Sequence, residues 1–313
     1  MEHIVVDVYR YLRRAIGAAI CLSWFWGFTA LGQPTTSAPD PVTSDPTTFD
    51  SAFPATSVGL AITSSGAPMN ALAYLAQGKG PHPTVLLLHG FPGYDSNFDV
   101  AQAIRRAGWN VLMFHYRGSW GSGGDFSFGN VLEDVGAVLA YMRDPANAQR
   151  LRADPNDIVL IGHSLGGFAA LTVGARDPNI RSIASISGWD VGLAGGRAEA
   201  NQQYRDGLLK FFQTATALKV PAPDSMIKDW IAASSEWQFI KRADQLSKKS
   251  VLLVGASKDT TAPMAQNYVP LVQALRANKS DGLSEVVLDT DHLYSDQRIA
   301  LTRAVVSWLM KQR

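Results

Sequence analysis

The sequence predicts an α/β fold: a mainly parallel sheet with helices on both faces. Three observations carry that expectation. Short apolar runs rich in β-branched residues recur along the chain, and segments of helical periodicity separate them. Most of these runs are apolar throughout rather than alternating, as strands covered on both faces require. The chain has 313 residues, 46% of them hydrophobic and 18% charged, enough for one large core.

The elements follow in order. Val58–Thr63 and Ala71–Ala76 flank Ser64-Ser65-Gly66-Ala67-Pro68, which reads as a β-hairpin and an antiparallel edge to the sheet. Thr84–Leu88 is the first strong buried strand, and it ends in His89-Gly90-Phe91-Pro92-Gly93. A loop in that place can aim a backbone N–H at a developing oxyanion. Phe91 is the expected donor because Pro92 has no N–H, and His89 is expected to brace the loop. Ala101–Ala107 continues a helix and Asn110–His115 is the next strand. The glycine-rich loop Tyr116–Gly124 invites reading as a phosphate cradle. It lacks G-K-[ST], and no helix starts inside it. Asn130–Met142 is helical, with Asn130 and Glu133 spaced as a capping box.

The most informative stretch is Asp157–Ala175. Ile158–Ile161 is a strand, Gly162-His163-Ser164-Leu165-Gly166 is G-x-S-x-G, and Phe168–Ala175 is a packed helix. A serine at so sharp a turn is strained, with its hydroxyl pushed into the open. A Cβ two residues before or after it would collide, so Gly162 and Gly166 suit their places. Leu165 N–H, at the helix start, points toward the oxyanion that attack would create.

Ile180–Ser187 is another strand. Between Trp189 and about Lys248 two helical stretches, Tyr204–Leu218 and Ser225–Phe239, make a connection too long for an ordinary βα loop. A helical cap over the site is expected at about residues 189–248. Its Phe211, Phe212, Trp230, Trp237 and Phe239 either line a pocket or pack the cap onto the body. Ser250–Val254 is a strand ending in Gly255–Asp259, and Pro263 opens a helix to about Ala277. Glu285–Leu288 is the last strand, followed by Asp289-Thr290-Asp291-His292-Leu293. The closing helix buries Leu301, Val305, Trp308 and Leu309.

A serine hydroxyl needs a base, and histidine is matched to neutral pH. On an elbow of this kind the acid and then the histidine follow the serine along the chain. Of six histidines only His292 follows Ser164, in the loop after the last strand. Asp259, in a loop after a strand at the same sheet edge, is the expected acid, and Asp190 is the reserve. Asp291 is expected to point away from its neighbour His292. No H-E-x-x-H, cysteine pair or dinucleotide fingerprint after Leu88 is present, so no metal and no cofactor is expected.

Arg10, Arg13 and Arg14 precede an apolar run from Ala15 to Leu31, and Ala30-Leu31-Gly32 offers small residues for signal peptidase. Residues 1–32 are therefore expected to be a signal peptide, with an uncleaved inner-membrane anchor as the alternative and a buried soluble helix behind both. Membrane attachment would run only through residues 15–31. Export, to the periplasm or outside, follows from either of the first two. Residues 33–56, rich in Pro, Thr, Ser and Asp, are expected to be a disordered linker, and 57–313 the folded domain. The lone cysteine, Cys21, leaves the domain without a thiol nucleophile. A net charge of +1 without long basic runs argues against a nucleic-acid partner.

Taken together, GHSLGG, HGFPG, YRGSWGSGG, GASKDTTAP and DHLYSD resemble the α/β-hydrolase superfamily over Ser57 to the C-terminus. Within it, HYRGSWGSGG and the hairpin look most like the dienelactone-hydrolase and prolyl-oligopeptidase-like branch. The resemblance implies a serine hydrolase with Ser164 as nucleophile, Asp259 as acid and His292 as base, and with Phe91 and Leu165 as oxyanion donors. Some peptidases of that branch place a tyrosine hydroxyl in the oxyanion hole. Phe91 has none, and the oligopeptidases' N-terminal propeller is absent. Both points favour a small-molecule ester substrate over peptides. The rival readings are an aminopeptidase or amidase, an acyltransferase, and a non-catalytic binding protein on the same scaffold.

The N-terminal residue of the mature protein tests the export expectation. Gln33 is expected, and an intact Met1 on soluble cytosolic protein overturns it.

Overall fold

The computed structural model describes residues 39–313. The expectations for residues 1–32, and for the start of the linker, lie outside the described residues.

Eight strands make one sheet: β1 Thr56–Ser64, β2 Ala67–Leu75, β3 His82–Leu88, β4 Asn110–Phe114, β5 Ala153–His163, β6 Ser182–Ile186, β7 Ser250–Ala256 and β8 Leu283–Leu288. Their order is β1-β2-β4-β3-β5-β6-β7-β8. The β1–β2 and β2–β4 pairings are antiparallel and all others parallel. The hairpin is thus an antiparallel edge, turned at Ser65 and Gly66, both with positive φ.

Alternate side chains of the central strands feed two cores. Leu86, Leu88, Leu160 and Ile183 face one core with helices α2 (Phe128–Arg143) and α4 (Leu165–Arg176). Val85, Leu87, Val159 and Ile161 face the other with α1 (Phe98–Arg106) and α11 (Arg298–Leu309). Both sheet faces are therefore covered, which is why the central strands read as unbroken apolar runs.

Several boundaries differ from the expectations. The α2 helix starts at Phe128, because Ser127 caps it by accepting the Asn130 N–H at 3.0 Å. Asn130 is inside the helix and its side chain instead reaches back to the Asp125 carbonyl. A short helix, α3 (Pro145–Arg150), precedes β5. The helix expected from Pro263 is two, α9 (Met264–Asn267) and α10 (Val269–Ala277), because Pro270 brings no N–H to the ladder.

The cap contains α5 (Val191–Ala200), α6 (Gln202–Thr214) and α7 (Pro223–Trp237), then a 3₁₀ turn at Phe239–Arg242 and α8 (Ala243–Leu246). The α5 helix escapes a propensity reading because it holds Gly192, Gly195 and Gly196. Two of these let α7 approach: a Cβ on Gly192 would lie 2.3 Å from Gln238 N, and one on Gly195 2.8 Å from Trp230 Nε1.

The linker expectation fails from Pro39 onward. Arg106 Nε donates to the Pro41 carbonyl at 2.7 Å, Arg303 pairs with Asp40 at 2.9 Å, and Arg152 donates to the Pro54 carbonyl at 3.0 Å. This segment has few apolar side chains to bury, but arginines of the body bind it, chiefly through its backbone carbonyls. Composition carries no trace of that.

The loop Tyr116–Gly124 is built around buried Arg117. Its Nε lies 2.5 Å from Asp134 Oδ1, its backbone N–H donates to Asp134 Oδ2 at 2.8 Å, and its Nη2 meets Glu133 at 2.7 Å. Asp134 is wholly buried and Glu133 is exposed. Asp134→Ala would leave the buried guanidinium with one exposed carboxylate, Glu133, and the Asn130 carbonyl, so a loss of about 3 kcal/mol is expected. Chemical denaturation of the two proteins measures it.

Candidate active site

Ser164 lies where β5 ends and α4 begins, at the carboxyl edge of the sheet. Its φ is +54° and ψ −116°, a strained conformation for a residue with a side chain. The surroundings hold it there. Its N–H donates to the Ile186 carbonyl at 2.9 Å, and its carbonyl accepts from Phe168 and Trp189 N–H, both at 3.1 Å. A Cβ on Gly162 would lie 1.9 Å from the Gly166 carbonyl oxygen, and one on Gly166 2.2 Å from the Leu88 carbonyl oxygen. The two glycines are what the strand–helix crossing admits.

Two other loops close on this elbow. In the first, after β3, Gly90 approaches so nearly that a Cβ there would be 3.0 Å from Ser164 Cβ. The Phe91 and Leu165 N–H groups donate no hydrogen bond within the described residues and remain available to a ligand. His89 does brace this loop: its Nδ1–H donates to the Gly90 carbonyl at 2.7 Å, and Tyr116 Oη donates to the His89 carbonyl at 3.1 Å. Trp120 Nε1 donates to the Pro92 carbonyl at 2.7 Å.

The second loop carries His292. Its Nδ1 lies 2.7 Å from Asp259 Oδ2, bridging the turns after β8 and β7. A carboxylate accepts, so Nδ1 bears the hydrogen, and in the neutral ring Nε2 holds the lone pair. Asp259 Oδ1 accepts from the Thr261 N–H at 2.9 Å and the Ala262 N–H at 2.8 Å. Burial alone would raise the Asp259 pKa. The His292 hydrogen bond and charge, with the Ala262 N–H, outweigh it and hold the carboxyl below its ordinary value.

The reserve acid, Asp190, is elsewhere engaged. It caps α5, accepting from Leu193 N–H at 2.8 Å and Phe239 N–H at 3.0 Å, and burial raises its pKa. Asp291 turns away from its neighbour and accepts from the Leu293 and Ser295 N–H groups.

The cap aromatics mostly pack the cap onto the body. Trp230, Phe212 and Phe239 are buried, and Trp230 Nε1 donates to the Val191 carbonyl. Phe211 is exposed and sits 5.3 Å from the Phe91 ring. One connection carried no signal in the sequence. The cap segment before α7 is hydrogen-bonded to the loop after β4, through Trp120 N–H to Ala217 O, Lys219 N–H to Gly118 O and Phe126 N–H to Lys219 O. A cavity of about 200 Å³ opens between Trp189, Leu193 and Arg197 on one side and Thr260 and Thr261 beside Asp259 on the other. Among the described residues no three histidine, cysteine, aspartate or glutamate side chains are grouped to hold a metal ion.

This sheet order and a strained serine at a strand–helix turn define a class of fold. Residues 83–229, from β3 into α7 and including the elbow, match the family model described as alpha/beta hydrolase fold. The chain has the α/β-hydrolase fold, and its segment from β3 into α7 matches that family's model. Among curated proteins it is 33% identical over 110 residues to an sn-1-specific diacylglycerol lipase of Xenopus tropicalis, covering 34% of this chain and 31% of that protein. It is 29% identical over 118 residues to a protein described as a carbamate hydrolase, RutD, of Pantoea ananatis, covering 37% of this chain and 40% of that one. The chain thus aligns with less than half the length of either relative. Among solved structures, Est1E from Butyrivibrio proteoclasticus superposes with a TM-score of 0.62 at 19% identity, covering 81% of this chain and 98% of that one. The Pyrococcus furiosus esterase Pf2001 does so at 0.59 and 16% identity, covering 82% and 90%. These last two are likenesses of fold.

Three histidines around the site are pushed toward neutrality. Burial lowers His89 and His163 to about 4, and lowers His115 by a smaller step. In the unfolded chain each would take its proton near pH 6.5, so the unfolded state binds more protons below that pH. Stability should therefore fall as pH drops from about 6.5 toward 4. Thermal melts at constant ionic strength test this, and a flat profile across that window contradicts it.

Proposed function

We propose that this protein is a serine hydrolase that cleaves carboxylic esters of small molecules through an acyl-enzyme. Ser164 is the nucleophile, His292 the base and Asp259 the acid. The observation that carries the reading is a serine held at positive φ on a strand–helix elbow, at the same sheet edge as a histidine whose Nδ1 is bound to a buried carboxylate at 2.7 Å.

Ser164 Oγ attacks the ester carbonyl carbon while His292 Nε2 takes its proton. Asp259 stabilises the imidazolium, and the Phe91 and Leu165 N–H groups receive the oxyanion. Collapse of that intermediate expels the alcohol, which takes the proton from His292. Water then attacks the acyl-enzyme, giving a proton to His292, and the acid leaves as Ser164 regains its hydrogen. The relatives, a diacylglycerol lipase and a protein described as a carbamate hydrolase, are named for acyl chemistry, and the absence of a hydroxyl on Phe91 favours esters over peptides. The reading includes export, supported by the arginines and apolar run of residues 10–31.

Matched chromogenic esters and aminoacyl anilides, assayed with purified protein and with Ser164→Ala as the blank, test the proposal. Ester cleavage that Ser164→Ala reduces to background is expected, with Asp259→Asn lowering kcat by up to about 10⁴-fold. Retained activity in Asp259→Asn alongside loss in Asp190→Asn would overturn the acid assignment. Fast anilide cleavage would make the protein a peptidase or amidase, and an acceptor alcohol outcompeting water an acyltransferase. No turnover of either substrate, and no labelling of Ser164 by a serine-reactive phosphonate, would leave a binding protein.

A further inference from the structure

His163 stands between Gly162 and Ser164, and the reaction above gives it no chemistry. It is buried, with 3% of its surface exposed. Its Nε2 lies 2.9 Å from the backbone carbonyl oxygen of His292, across 129 residues of sequence. Its ring centroid is 4.8 Å from that of His292, at an interplanar angle of 45°. On its other side, a Cβ on Gly90 would lie 3.3 Å from His163 Nδ1. The side chain next to the nucleophile therefore touches both the base and the loop that carries Phe91.

The hydrogen bond fixes the tautomer. A carbonyl oxygen only accepts, so Nε2 carries the hydrogen and Nδ1 the lone pair. Nδ1 is buried with no hydrogen-bond partner among the described residues. A buried polar atom without a partner costs free energy, so a phenylalanine would fill this space more cheaply. What phenylalanine cannot supply is the donor. No other group among the described residues donates to the His292 carbonyl. The rest of the turn is held at neighbouring atoms: Arg298 Nη1 donates to the Leu293 carbonyl at 2.9 Å and Tyr294 N–H to the Asp291 carbonyl at 3.1 Å. Burial lowers the His163 pKa to about 4, so near neutral pH the ring is uncharged and its Nε2–H donor is not altered by titration.

We propose that His163 is a positioning residue: its Nε2–H holds the backbone of the base loop and so sets where His292 Nε2 meets Ser164 Oγ. The inference rests on the catalytic roles proposed above. A misplacement of about 1 Å in reacting groups lowers rates by roughly 10²-fold without weakening binding. Loss of this one bond should therefore appear in kcat and not in KM. Glutamine can carry an amide N–H to nearly the place of histidine Nε2, whereas phenylalanine keeps the ring and loses the donor.

The test compares the full chain as wild type, His163→Gln and His163→Phe, each checked for fold by circular dichroism and thermal melting. On a chromogenic ester, kcat of His163→Phe is expected to fall about 10- to 100-fold with KM within twofold, and His163→Gln to recover most of it. A substrate-free readout accompanies the kinetics, the low-field proton resonance of His292 Nδ1–H bound to Asp259. It should persist in wild type and His163→Gln and be lost or exchange-broadened in His163→Phe. Unchanged kcat or an unchanged resonance in folded His163→Phe overturns the inference, as does a folded His163→Gln as impaired as His163→Phe. If wild type turns over no ester, the proposed function fails, and the resonance alone still decides the role of His163.

Discussion

The serine at the candidate site is placed by how closely β5 and α4 cross. Gly162 meets the Gly166 carbonyl where any side chain would overlap it, and Gly166 rests in turn on the Leu88 carbonyl at the end of β3. This contact forces Ser164 into its positive φ and lifts its side chain off the sheet. It also brings the loop after β3 against the serine. Strain at one residue is affordable because three backbone hydrogen bonds at Ser164 over-determine its position.

Charge at the site is set by partners rather than by residue type. Asp190 and Asp259 are both buried aspartates following strands at one sheet edge. Asp190 meets only backbone N–H groups, and burial raises its pKa. Asp259 has a backbone-saturated oxygen as well, but its second oxygen faces His292, and its pKa falls. The histidines packed beside them, His89 and His163, are kept neutral by burial. One imidazole, His292, therefore stands in contact with a carboxylate while its neighbours act as uncharged struts.

The central strands were legible because they are covered on both faces, so each left an apolar run. Where that cover is missing, legibility drops. The polar first half of β5 and the half-exposed outer strand β8 were read short. The α5 helix was invisible because glycine packing against α7, not propensity, makes it. Ser164, Asp259 and His292 were singled out from motif and chain order; the fold sets all three in turns at the carboxyl edge of the sheet and pairs His292 with Asp259. Phe91 and Leu165 were placed by the loops that carry them. The hold of His163 on His292 spans 129 residues and involves a backbone carbonyl, so no local pattern marks it. The docking of residues 39–55 on arginines of the body was hidden for the same reason.

His292 lies in the turn after β8, which is both the last strand of the chain and an outer strand of the sheet, with Val287 half exposed. On the proposed roles, a chain emerging from the ribosome can therefore close its elbow and the loop carrying Phe91 long before it holds His292 in place. The same placement works in reverse under stress. Fraying of one weakly covered edge strand would displace His292 while the core is still intact, so under the proposed roles loss of function precedes loss of bulk structure on heating.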